Sequence, residues 1–131
     1  MGVENKEADH LPDHLGIIVR KLEKGEVEME LPVRKCLLNP NGILHGGTII
    51  ALADSATGYG AVMSLPPDAV NFTTVELKSN FLGTAHDGTL DCTAKAVHMG
   101  KTTQVWDAVV THRETAKTLA LYRCTQLLLY R

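Results

Sequence analysis

The chain has 131 residues, 44% apolar and 21% charged, with a formal net charge of −2. That is one domain's worth of chain, enough to bury a core without disulfides or metals. The charge balance argues against a broad nucleic-acid footprint, which needs clustered positive charge.

Residues 1–13 read as a polar, acidic tail able to carry a short helix, with no apolar stretch of the kind a secretory signal needs. The single domain is expected to span 14–131. Leu15, Ile17 and Val19 alternate with Gly16, Ile18 and Arg20, the pattern of a strand. Lys24-Gly25 turns the chain into a second strand, where Val27, Met29 and Leu31 alternate with Glu26, Glu28 and Glu30. These two strands make a hairpin.

A loop over 33–44 carries strong turn chemistry in Pro40, Asn41 and Gly42. A helix comes next, from Gly46 to Met63, apolar nearly all round and therefore expected to be buried. Ala51, Ala53, Ala56, Gly58, Gly60 and Ala61 make it thin. Each interior glycine costs about 1 kcal/mol relative to alanine, a cost that close approach of surrounding backbone would explain. Pro66-Pro67 ends the helix. Its longest apolar run, 49–65, is broken by Asp54, Thr57, Gly58 and Gly60 and falls short of a membrane span.

Strands are expected at 71–82, 89–98, 102–113 and 118–130, with turns at 83–88, 99–100 and 114–117. The short links favour antiparallel hairpins. One long helix wrapped by a curved antiparallel sheet is the economical packing, an α+β fold. Cys36, Cys92 and Cys124 form no CxxC pair, and an odd cysteine count fits a reducing, cytoplasmic setting. The six histidines show no metal-ligand spacing, and no phosphate-cradling glycine loop or Gly-x-Ser-x-Gly elbow is present. No metal and no separate cofactor are expected.

The chemistry concentrates where the loop enters the helix. Asp54 lies well inside an apolar helix, and its helical neighbours Ile50, Ala51, Thr57 and Gly58 offer no cation. An unpaired buried carboxylate is costly, so Asp54 faces either a cavity or a subunit boundary. His45 precedes Gly46-Gly47 at the helix N-terminus. First-turn amides there lack intrahelical acceptors, and the helix dipole favours negative charge, a setting for an oxyanion hole. Gly46 and Asp54 are eight residues apart, about 12 Å along the axis at 1.5 Å per residue. A reacting atom must lie roughly 3 Å from both donor and base, so the two groups can share a site only if they come from different chains. That implies a dimer with two composite sites. Asn39 reads as a turn starter, and Thr73 or Thr74 could hold a water.

The block Asn39-x-x-Gly42-x-x-His45-Gly46-Gly47, continuing into Leu52-Ala53-Asp54, resembles the hotdog-fold acyl-coenzyme A thioesterases, nearest the phenylacetic-acid-degradation branch. Gly58, Gly60, the strand Thr74-Val75-Glu76-Leu77 and the Gly100-Lys101 turn fit the same family. The resemblance spans about 14–130. It implies a hotdog fold, a central helix wrapped by six antiparallel strands, in homodimers often paired into tetramers.

By that resemblance Asp54 is nucleophile or general base. The Gly46 amide, with Gly47 beside it, polarises the thioester carbonyl. Asn39 and His45 position the thioester and the helix end, and Thr74 holds the water. Strict alternation groups Thr74 with Glu76 and Lys78, which leaves Thr73 as its substitute. A related branch carries Glu in place of Asp54 with Thr one turn later, where this chain has Gly58. The phosphates of coenzyme A need cations: Lys101 beside Gly100 leads, ahead of Lys78, Arg113 and Arg123. The expected reaction is metal-free hydrolysis of an acyl-coenzyme A, with acyl-carrier protein as a possible replacement and the acyl group open. A hydratase or dehydratase of the same fold and a non-catalytic acyl-coenzyme A binding module are the alternatives. Nucleic acid and membrane are not expected partners.

Overall fold

The computed structural model describes residues 9–131; the expected tail over residues 1–8 lies outside them. The described elements are α1 (Leu11–Leu15), β1 (Ile18–Glu23), β2 (Glu26–Pro32), α2 (Gly46–Met63), β3 (Ala69–Phe81), β4 (Thr89–Met99), β5 (Thr103–His112) and β6 (Thr118–Tyr130). Six antiparallel strands form one sheet in the order β1-β2-β4-β5-β6-β3. None of the described helices is long and apolar enough to cross a membrane.

Three expectations are corrected. Leu15 is not in the first strand but closes α1, a short helix that crosses the expected boundary at residue 13. Pro12 sits in its first turn, the Asp13 carboxylate accepts from the His10 amide, and Gly16 stops it at φ 88°. These local helix signals outweigh the two-residue alternation. The second correction concerns β3, which makes no hairpin with β4. It pairs with β6 at the far edge of the sheet, while β4 lies between β2 and β5. The intervening 82–88 segment crosses the end of the sheet, where the Ala85 and Gly88 carbonyls accept from the Leu44 and Val33 amides. Third, the interior glycines of α2 make room for aromatic rings, not backbone. A Cβ on Gly60 would stand 2.5 Å from Cη2 of the fully buried Trp106, and one on Gly58 would stand 3.4 Å from Phe72 Cζ.

The concave face of the sheet packs on α2. Leu52, Ala53 and Ala56 of the helix are completely buried against Val27, Leu31, Leu90, Trp106 and Cys124. Burial of this one face is the main drive to fold. On the convex face, Glu30 is held by Arg20 of β1 and by Arg113 just beyond β5, which also binds Asp91 of β4. The two guanidiniums keep the Glu30 carboxyl below its ordinary value, Arg113 most strongly. This network ties three strands together outside the core.

Candidate active site

The loop before α2 is fixed by its own turn. The Asn39 amide donates to the Ile43 carbonyl at 2.7 Å, and the Gly42 amide to the Asn39 carbonyl at 2.9 Å with Gly42 at φ 87°. The Asn39 side chain donates through Nδ2 to the Leu44 carbonyl at 3.3 Å. Asn39 therefore holds the residue next to His45 and acts on the helix end through the backbone.

His45 is the N-cap of α2. Its Nδ1 accepts from the Gly47 amide at 2.7 Å, and its own amide donates to the Leu37 carbonyl at 3.1 Å. With Nδ1 accepting, the neutral ring carries its proton on Nε2, toward solvent. A Cβ on Gly47 would come within 2.9 Å of Nδ1, so a glycine is what lets the ring fold back. Gly47 thus spends its amide on the cap. Gly46, the first helical residue, has an amide without an acceptor among the described residues. The positive end of an 18-residue helix converges there. The Phe81 ring stands over Gly46, 3.4 Å from the position a Cβ would take.

Asp54 is half-buried, two turns further on. It makes no ion pair among the described residues, but it is not unpartnered: the Tyr122 hydroxyl donates to Oδ1 at 3.2 Å. Sequence reasoning missed Tyr122. The signal available was a tyrosine on the apolar face of β6 between Ala120 and Cys124, since a buried hydroxyl needs a partner. Opposite Tyr122 in the register stands Ser79 of β3, whose Oγ is buried and unpartnered among the described residues.

The threonines lie elsewhere. A bulge between Thr74 and Glu76 breaks the alternation that grouped them, so Thr74 turns inward while Glu76 stays outside. The Thr74 hydroxyl donates to Gln126 Oε1 at 2.6 Å. Gln126 is four residues from Tyr122 along β6, about 13 Å at strand spacing, so a single chain does not bring Thr74 to Asp54. Thr73 is exposed.

Gly100 and Lys101 form the β4–β5 turn, closed by the Gly100 amide on the Thr103 carbonyl at 2.9 Å. That turn is near the far end of α2, where Gln104 donates to the Ser64 carbonyl. Arg113 and Arg123 are engaged by carboxylates, Arg113 by Glu30 and Asp91 and Arg123 by Asp107. Lys78 and Lys101 are exposed and make no ion pair among the described residues. Burial pushes the Cys92 thiol up to about 12 and raises that of Cys124, so neither is a thiolate nucleophile at neutral pH.

The family model of the thioesterase superfamily matches residues 41–119, which include the helix end, Asp54 and Ser79. The chain belongs to the thioesterase superfamily. Its class is thioester hydrolysis and its architecture is the hotdog fold. It is 39% identical over 115 residues to a 1,4-dihydroxy-2-naphthoyl-CoA hydrolase of Listeria monocytogenes, covering 88% of this chain and 92% of that one. It is 33% identical over 97 residues to the proofreading thioesterase EntH of Klebsiella pneumoniae, 74% and 70% of the two chains. Among solved structures it superposes on the PaaI protein of the E. coli phenylacetic acid degradation operon with a TM-score of 0.83 and 28% identity, over 96% of this chain and 86% of that one.

Proposed function

We propose that this thioesterase-superfamily chain hydrolyses an acyl-coenzyme A thioester in a site built from two subunits. Asp54 of one subunit is the general base or nucleophile, and the Gly46 amide of the other is the oxyanion donor. The observation that carries this reading is the pairing of an acceptor-free amide at a helix N-terminus with a carboxylate that no described cation neutralises. A donor aimed at the developing oxyanion and a base for water are the two parts thioester hydrolysis requires.

In the general-base route, Asp54 takes a proton from water as the water oxygen bonds to the carbonyl carbon. Negative charge collects on the carbonyl oxygen at Gly46. Collapse breaks the C–S bond, the coenzyme A sulfur leaves with the proton, and the acid is released. In the nucleophilic route Asp54 attacks the carbonyl carbon, the C–S bond breaks as the coenzyme A thiolate leaves, and water then cleaves the resulting anhydride to the acid and free Asp54. Asn39 and His45 hold the helix end in both. Lys101, on the Gly100 turn, is the leading contact for the phosphates of coenzyme A, with Lys78 next, since no described carboxylate engages either lysine.

Helix spacing supports the two-subunit arrangement, since Gly46 and Asp54 of one chain are about 12 Å apart. So does β3. It is a 13-residue edge strand with Val70, Val75, Leu77 and Phe81 exposed, a template for pairing with a second copy.

The test is Asp54→Asn assayed by free-thiol release on 1,4-dihydroxy-2-naphthoyl-, phenylacetyl- and medium-chain acyl-coenzyme A. The expected loss in kcat/KM is about 100-fold or more, the scale for a catalytic acid–base group. Unchanged turnover would overturn the assignment.

A further inference from the structure

We propose that Tyr122 is a positioning residue for Asp54: its hydroxyl ties down Oδ1, so that Oδ2 is the oxygen presented to water or to the thioester. The inference rests on Asp54 being the reactive carboxylate and deepens that reading.

Four observations carry it. Tyr122 comes from the middle of β6, 68 residues away in sequence, and is only 3% exposed. Its side chain lies on the concave face of the sheet, flanked along the strand by the small inward side chains of Ala120 and Cys124. The hydroxyl therefore reaches α2, where it donates to the Asp54 carboxylate and also meets the Thr57 side chain. A phenylalanine would fill the same core without the cost of burying an oxygen, so the hydroxyl is explained by the carboxylate it meets. Second, Oδ1 is the one Asp54 carboxylate oxygen with a partner among the described residues, which leaves Oδ2 open.

Third, burial holds the Tyr122 phenol far above the ordinary tyrosine range, with the nearby Asp54 charge acting in the same direction. It therefore remains a donor at every pH where the enzyme would work. Cys124 also senses Asp54, but burial keeps its thiol protonated, and Thr57 of α2 lies against both β6 side chains. Tyr122 is then the titratable neighbour that can donate to the carboxylate. Fourth, Ser79, facing Tyr122 across the strand pair on the same side of the sheet, holds a buried hydroxyl with no described partner. This level of the sheet carries unspent polar capacity where a packed core would carry none. At 3.2 Å the Tyr122–Asp54 bond is long for O–H···O, as catalytic hydrogen bonds often are before substrate tightens them.

A donor to a carboxylate favours its charged form. Removing the hydroxyl disfavours the charged form, so the acid limb of the pH–kcat/KM profile should move to higher pH. The experiment compares wild type, Tyr122→Phe and Asp54→Asn by free-thiol release on a turned-over acyl-coenzyme A between about pH 4 and 9. Tyr122→Phe should lower kcat about tenfold, leave KM within about twofold, and move the acid limb to higher pH. A merely structural tyrosine would lower the melting temperature and leave the limb in place.

If Asp54→Asn is dead and folded Tyr122→Phe keeps both kcat and limb, the positioning role is overturned while the Asp54 assignment stands. If Asp54→Asn turns over normally, the underlying reading fails with it. Should Tyr122→Phe not fold, 3-fluorotyrosine placed at position 122 decides the matter. Its more acidic hydroxyl is a stronger donor and should move the limb to lower pH; an unmoved limb would overturn the proposal.

Discussion

His45 and Asp54 show how far residue types alone reach. The histidine stands as the N-cap of α2, and its ring bonds the Gly47 amide. His45→Ala should therefore cost about 1 kcal/mol of stability, the usual worth of an N-cap, whereas His45→Asn should retain it because asparagine caps equally well. Thermal or denaturant melts of the two variants check this; equal losses would contradict the cap. The positions of His45, Gly46 and Asp54 were legible because each depends on local order: turn, glycines, then helix. Tyr122 was not legible as Asp54's partner, because only the packing of β6 on α2 brings residues so far apart in sequence together. The facing of Thr74 was misread for a related reason. Two-residue alternation holds only without a bulge, and the extra residue after Thr74 reverses the facing of the strand beyond it.

At the scale of elements, α2 was legible at both ends, since a polar turn opens it and Pro66-Pro67 closes it. Its glycines pointed to compact packing without the partner being visible. Gly60 and Gly58 now separate. Gly60→Ala gains about 1 kcal/mol of helix propensity but drives a methyl into Trp106, and overpacking of this kind costs about 1–3 kcal/mol. Gly58→Ala meets only the edge of the half-buried Phe72 ring. We expect Gly60→Ala to melt below wild type and Gly58→Ala to melt at or above it. The reverse order would contradict the packing described. The three hairpins β1–β2, β4–β5 and β5–β6 were legible from their short turns, whereas the β3–β6 pairing was not. It is non-local, decided by where the chain emerges after crossing the sheet on α2.

At the scale of the whole molecule, the proposed site is divided along one helix. The Gly46 amide opens α2, Asp54 lies in its middle, and the Gly100-Lys101 turn lies near its far end. No single chain brings them together, while β3 offers a long unpaired edge to a second copy. The central claim is that each active site takes Asp54 from one subunit and Gly46 from the other. Two dead variants test it. Asp54→Asn removes the proposed base or nucleophile; Gly46→Pro removes the amide at the first helical position, where proline fits a helix. The two are unfolded together in equal amounts, refolded, and assayed for thioester hydrolysis. Half the dimers are then mixed, and each mixed dimer pairs an intact Asp54 with an intact Gly46 in one of its two sites. The account predicts recovery of about a quarter of wild-type activity from two inactive parents, as a two-fold symmetric composite site requires. A mixture as inactive as its parents would contradict it, because a site held within one chain cannot be rebuilt this way.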